Sequence, residues 1–271
     1  MRYHRYVDLN SLVCDVVIRD RELVQPAAAA SHGRCKPHSR LAASRAGSTQ
    51  GHVSNRVPWR IFLLSPANAA GVRGRLILNE SARFDLALRL QRDGLPLGEI
   101  FSFISGLYFR GKLAYARAFA QAPPGMPGAW VITAGRGLVP ADQVVSIAEL
   151  REMLRVPIEP SDPRYRAPLE REARILAGRA GKRCEIVLLG SIASPKYVEP
   201  LLPILGKRLL FPAEFVGRGD MSRGGLMLRH ARAGIPLNYI PVGTAVRRGT
   251  RPPKLPKLAT NEKPQTNAKC A

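Results

Sequence analysis

Histidine is nearly missing from the body of this sequence. Four of the five (His4, His32, His38 and His52) fall in the first 56 residues, and only His230 lies beyond them. That distribution argues against a Ser-His-Asp triad or a histidine-rich metal site in the body. His32-x-x-Cys35-x-x-His38 has ligand spacing but no fold signal around it, so no metal and no other cofactor is expected. The four cysteines, Cys14, Cys35, Cys184 and Cys270, show no paired spacing. A disulfide framework is therefore not expected, and a reducing, cytoplasmic compartment fits. No apolar run reaches the roughly 18 residues of a membrane helix. Residues 9–18 are apolar but carry Asp15, with no cleavage-site pattern behind them, which argues against a secretory signal.

Acidic residues are absent from Leu23 to Asn79, and methionine is absent between Met1 and Met126. Residues 26–56 are rich in Ala, Ser, Arg, Gly and His and lack apolar periodicity. Residues 1–56 thus read as a disordered arm, or as the product of a mis-assigned start with translation from a valine such as Val53 or Val57. Asp8, Asp15, Asp20 and Glu22 argue against an organellar transit peptide.

What is abundant is positive charge. Lys and Arg number 42 against 20 Asp and Glu, a net charge of +22. Residues 57–246 keep 26 against 15, so the excess does not reside only in the ends. Residues 247–271 form a basic, proline-rich tail with Pro253-x-x-Pro256, expected to be a flexible arm. A basic body points to a polyanionic partner, nucleic acid first; a merely solvated surface is the alternative.

Between the arms, apolar runs alternate with helical patterns. The strand-like runs are Arg60–Ser65, Ala129–Thr133, Glu185–Gly190 and Asn238–Val242, with Leu209–Phe211 shorter. Helical patterns cover Ala82–Gln91, Leu107–Gln121, Ile147–Arg155, Tyr165–Ala180, Pro195–Leu205 and Ser222–Ala233. Strands with little polar alternation, separated by helices, predict one α/β domain over 57–246. Its architecture is three-layer, a mostly parallel central sheet with helices on both faces.

Three runs end in small polar loops, at 65–71, 133–140 and 190–197. Ligands of open α/β sheets sit beyond the carboxyl ends of parallel strands, so these loops are expected to converge on one site. They contribute Ser65, Asn68, Arg136, Ser191, Ser194 and Lys196. Ser194-Pro195 is a helix start whose free N–H groups suit a phosphate or carboxylate, and equally a helix start that binds nothing. Arg110 and Lys112 open a further helical segment and either meet an anion or lie solvated. A fourth loop, Gly217–Gly225, holds four glycines with Arg218, Asp220, Ser222 and Arg223, and Ser222 stands where a helix N-cap would stand. It matches neither Walker nor Rossmann spacing. Asp220 between two arginines reads as an acid/base or nucleobase acceptor, or as a carboxylate that fixes its own loop.

Leu63-Leu64-Ser65-Pro66-Ala67, Phe109-Arg110-Gly111-Lys112-Leu113-Ala114-Tyr115, Gly135-Arg136-Gly137-Leu138-Val139-Pro140-Ala141-Asp142 and Ile192-Ala193-Ser194-Pro195-Lys196-Tyr197 occur in that order. Their succession over about residues 60–203 resembles the YaaA-like peroxide-stress proteins and, more distantly, the accessory domain of archaeosine synthases. Asn68 departs from that family, which has lysine after the Ser-Pro-Ala. The 217–225 loop is more similar to an uncharacterised set of bacterial proteins sharing segments like 105–116 and 215–228. The resemblance implies DNA binding and DNA protection or stress response. The combined expectation is binding of nucleic acid or a nucleotide-like anion at the strand C-terminal edge, with no membrane partner. The alternative is an enzyme modifying or hydrolysing a nucleobase or nucleotide, with Asp220, helped by Asn68, as acid/base.

Overall fold

The computed structural model describes residues 58–256; the arm expected over 1–56 and the tail from residue 257 lie outside the described residues. Four strands run parallel: β1 (Arg60–Leu64), β3 (Ala129–Thr133), β6 (Glu185–Leu189) and β7 (Leu209–Pro212). Two antiparallel strands, β4 (Gly137–Pro140) and β8 (Tyr239–Pro241), close the edges, giving the order β4-β3-β1-β6-β7-β8. β2 (Leu95–Pro96) and β5 (Val144–Val145) pair separately. Ile61–Leu64 and Ile186–Leu189 are wholly buried, which is why both strands are continuous apolar runs. They pair in register, Ile61 beside Ile186 and Leu64 beside Leu189.

The helices are α1 (Val72–Leu78), α2 (Asp85–Arg92), α3 (Leu97–Ser105), α4 (Leu107–Phe119), α5 (Ile147–Arg155), α6 (Pro163–Ala180), α7 (Pro195–Leu205) and α8 (Asp220–Ala233). They cover both faces of the mostly parallel sheet, completing the expected three-layer α/β fold. α4 packs on β1 and β3 and pairs with α8; α6 packs on β3 and β4 and pairs with α7. The α4–α8 approach is backbone to backbone. A Cβ at Gly111 would stand 2.6 Å from the Gly224 carbonyl oxygen, and one at Gly224 would stand 2.8 Å from that of Leu107. Gly224 therefore belongs to helix packing rather than to an anion-cradling loop.

Several expectations need correction. Gly137–Pro140, read as part of a ligand loop, is strand β4, the second arm of a tight hairpin. Gly135 (φ +80°) lies in the turn, Gly137 (φ +73°) opens β4 opposite Thr133, and the Thr133 hydroxyl donates to the Gly137 carbonyl at 3.0 Å. α8 is capped at Gly219 and begins at Asp220, so Ser222 is its third residue and not its N-cap. α1 and α3 are additions to the expected helices; in α3 the buried Leu97, Ile100, Phe101 and Ile104 lie at i, i+3, i+4 and i+7 on one face, and half-buried Phe103 stands off that face. Residues 247–256 do not leave the body at Arg247. Leu255 packs on the core, and Arg218 and Arg229 donate to the carbonyls of Pro253 and Pro256.

β1 and β6 are neighbours, yet the chain leaves β1 toward β3 on one side and leaves β6 toward β7 on the other. Their connections diverge, and such a switch point leaves a crevice outside the strand carboxyl ends. Ser65 and Gly190 are the first residues beyond those ends.

Candidate functional site

Ser65 follows β1 directly and is 5% exposed. Its N–H bonds the Leu189 carbonyl at 3.2 Å, tying it to the end of β6. A Cβ on Gly190 would come within 3.2 Å of Ser65 Oγ, so the glycine keeps space open beside the hydroxyl. From α4, wholly buried Lys112 reaches the same point, its Nζ 2.5 Å from the Ser65 carbonyl oxygen and 2.9 Å from Ser65 Oγ. Among the described residues no carboxylate pairs with the amine. Its other neighbours are aromatic faces, with Nζ 4.2 Å from the Tyr108 ring centre and 4.9 Å from that of Phe109.

Burial lowers the Lys112 pKa to about 7; nearby Asp220 offsets this in part and Arg223 adds to it. The Tyr108 hydroxyl is buried and, among the described residues, has no partner at full hydrogen-bond geometry; Arg223 and Ser65 are looser polar contacts that oppose the effect of burial on it. Burial raises its pKa to about 12, so the phenol keeps its proton. Tyr197, on the first turn of α7, is also raised by burial, with Tyr108 and Asp220 adding to the shift and Ser65 opposing it. Three helices thus bring Tyr108, Lys112, Tyr197, Asp220 and Arg223 around Ser65.

Arg223 is 8% exposed; its Nε and one terminal nitrogen donate to the Phe215 carbonyl at 3.2 and 3.1 Å. Its other terminal nitrogen lies 3.8 Å from the Asp220 carboxylate, which is largely exposed. Residues of the loop at 65, the first turn of α7 and the start of α8 therefore lie within interaction range of one another.

Other expected site residues are occupied elsewhere. Arg110 is exposed. It lies two residues from Lys112, about 200° round the helix, so the two do not face one anion. Arg136 is exposed and pairs with Glu149 at 2.9 Å, joining the hairpin to the capping box Ser146–Glu149 that starts α5. Asn68 accepts from the Ala70 N–H at 3.0 Å and Ser191 from the Ala193 N–H at 3.3 Å, both local turns. Arg218 holds its loop through the Glu214 carbonyl and the Ser222 hydroxyl. Ser194 caps α7 by position, with no side-chain cap bond, and Lys196 is exposed beside it. His230 faces the Ile235 carbonyl at 2.8 Å, a helix-end contact.

Two members of the cluster, Tyr108 and Tyr197, were not singled out from the sequence. The signal for Tyr108 is its i, i+4 spacing to Lys112, which puts both on one helical face. Tyr197 stands three residues after the Ser194 cap, on the turn that meets the strand end. Comparison with family models, curated proteins and solved structures finds no match for this chain.

Proposed function

We propose that this protein binds a nucleotide-like anion, or a nucleic-acid strand, in the crevice beyond β1 and β6, in the service of DNA protection or stress response. One observation carries the reading: a buried lysine with no carboxylate partner among the described residues meets a buried phenol that none of them engages at full hydrogen-bond geometry, at the switch point of a parallel sheet. Buried polar groups left open in this way are ordinarily completed by a ligand or by water. The rim supplies charge through Arg223, Lys196 and the uncapped N–H groups of α7. The surplus of basic residues over the body would draw a polyanion toward it.

The test uses the full chain with labelled single-stranded DNA and RNA and with nucleoside mono-, di- and triphosphates, between about 50 and 200 mM salt. Binding that weakens steeply with salt, and further in Lys196→Ala, is expected. Failure of every one of these ligands at the lowest salt overturns the reading.

The second reading, an enzyme that modifies a nucleobase or nucleotide, is favoured by Asp220. This exposed carboxylate lies within electrostatic reach of Lys112, Tyr108 and Tyr197. On that reading Asp220→Asn abolishes turnover while leaving affinity nearly intact; equal loss of both would instead make Asp220 a binding residue.

A further inference from the structure

We propose that Ser65 is a nucleophile and Lys112 its general base in the hydrolysis of a carboxylic ester. The inference rests on the same two groups, Lys112 and Tyr108, that carry the proposed function, and concerns what they do to Ser65 rather than which anion they hold. Lys112 Nζ stands 2.9 Å from Ser65 Oγ, within the reach a proton transfer needs; the hydroxyl donates to the Leu189 carbonyl at 3.3 Å and turns from that long bond to the neutral amine when it reacts. The amine is fixed on its other side by the Ser65 carbonyl and enclosed by the rings of Tyr108 and Phe109. Burial disfavours the ammonium form by more than the Asp220 carboxylate favours it, which leaves a lone pair free near neutral pH. Gly190 places no side chain against Oγ, where a Cβ would stand 3.2 Å away. The unpartnered Tyr108 hydroxyl is a proton donor waiting for an acceptor next to Ser65, as a developing oxyanion requires. The charged groups facing this centre are Asp220 and Arg223 from α8, and Tyr197 joins them from α7.

Ser65 Oγ bonds to the ester carbonyl carbon as its proton passes to Lys112 Nζ. The carbonyl π pair moves onto the oxygen, where Tyr108 donates a hydrogen bond. Collapse breaks the bond to the leaving alkoxide, which takes the proton back from Lys112 and departs as the alcohol. Water then attacks the acyl carbon and gives a proton to Lys112. The second collapse returns the Ser65 hydroxyl and releases the carboxylic acid.

The test is covalent labelling of the full chain with an alkyl fluorophosphonate, mapped by peptide mass spectrometry from pH 6 to 9. A single adduct on Ser65 is expected, forming at a rate that rises to a plateau with a midpoint near pH 7. Lys112→Met should slow it by about 100-fold or more and Tyr108→Phe by about tenfold or more. No adduct on Ser65, or equal labelling of folded Lys112→Met, overturns the proposal. If Lys112→Met does not fold, the wild-type profile decides. A plateau with that midpoint supports the base, and a rate climbing without limit through pH 9 refutes it. Because the probe carries no nucleotide, its outcome is separate from that of the nucleic-acid binding assay.

Discussion

Lys112 is where the sequence was both informative and misleading. Its position beside Arg110 suggested two cations that either meet one anion or lie solvated together, yet the helix turns one outward and drives the other into the sheet. Sequence spacing gave the rotation, but not which face would meet β1. The buried amine has a measurable signature. Its pKa lies near 7 in the folded chain and near an ordinary ~10.4 in the unfolded one. Between those values the unfolded chain binds a proton that the folded chain does not, so stability rises with pH. The slope from this group approaches about 1.4 kcal/mol per pH unit, and it vanishes below pH 7, where both states are protonated. Urea unfolding at pH 7, 8 and 9 should show the native chain gaining about 2 kcal/mol on Lys112→Met across that interval. Parallel pH dependences in the two proteins would mean that the amine stays charged. Ser65 was legible because it closes an apolar strand. Tyr108 was not, because an aromatic residue on a helix usually signals core, and only the missing partner for its hydroxyl sets it apart.

At the scale of elements, the parallel strands were the readable part, since burial on both faces leaves an unbroken apolar run. Hairpin strand β4 was hidden because a two-glycine turn also looks like a ligand loop, and Arg136 within it serves an ion pair. Arg136→Ala should therefore cost no more than about 1 kcal/mol in thermal unfolding and leave ligand affinity unchanged. A clear loss of affinity would put that arginine in the crevice after all. The glycines at 111 and 224 belong to a different class, because they set how closely α4 and α8 approach. Gly224→Ala pushes a methyl into the Leu107 carbonyl and should destabilise by about 2 kcal/mol, read from chemical denaturation. Gly178, in α6 with open space where a Cβ would go, offers the contrast: Gly178→Ala should stabilise by about 0.5–1 kcal/mol. A neutral result at both positions would remove the close-packing account of α4 and α8.

For the molecule as a whole, composition foretold a basic α/β body. It did not foretell that residues 247–256 lie back along α8, since a proline-rich basic stretch lacks the apolar periodicity that announces packing. The single leucine at 255 and two arginine-to-carbonyl bonds hold it. A chain ending at Val246 should consequently melt several degrees lower, by an amount consistent with about 2 kcal/mol; an unchanged melting temperature would make this contact incidental. The pairing of β1 with β6 has a consequence of another kind. Ser65 meets Leu189 across 124 positions of chain, and Lys112 meets Ser65 across 47. No fragment shorter than that span carries the crevice, and long-range parallel pairing is slow to form. During refolding, helical signal should return before any Ser65 reactivity, and the lag between them would time the moment at which the two halves of the sheet join.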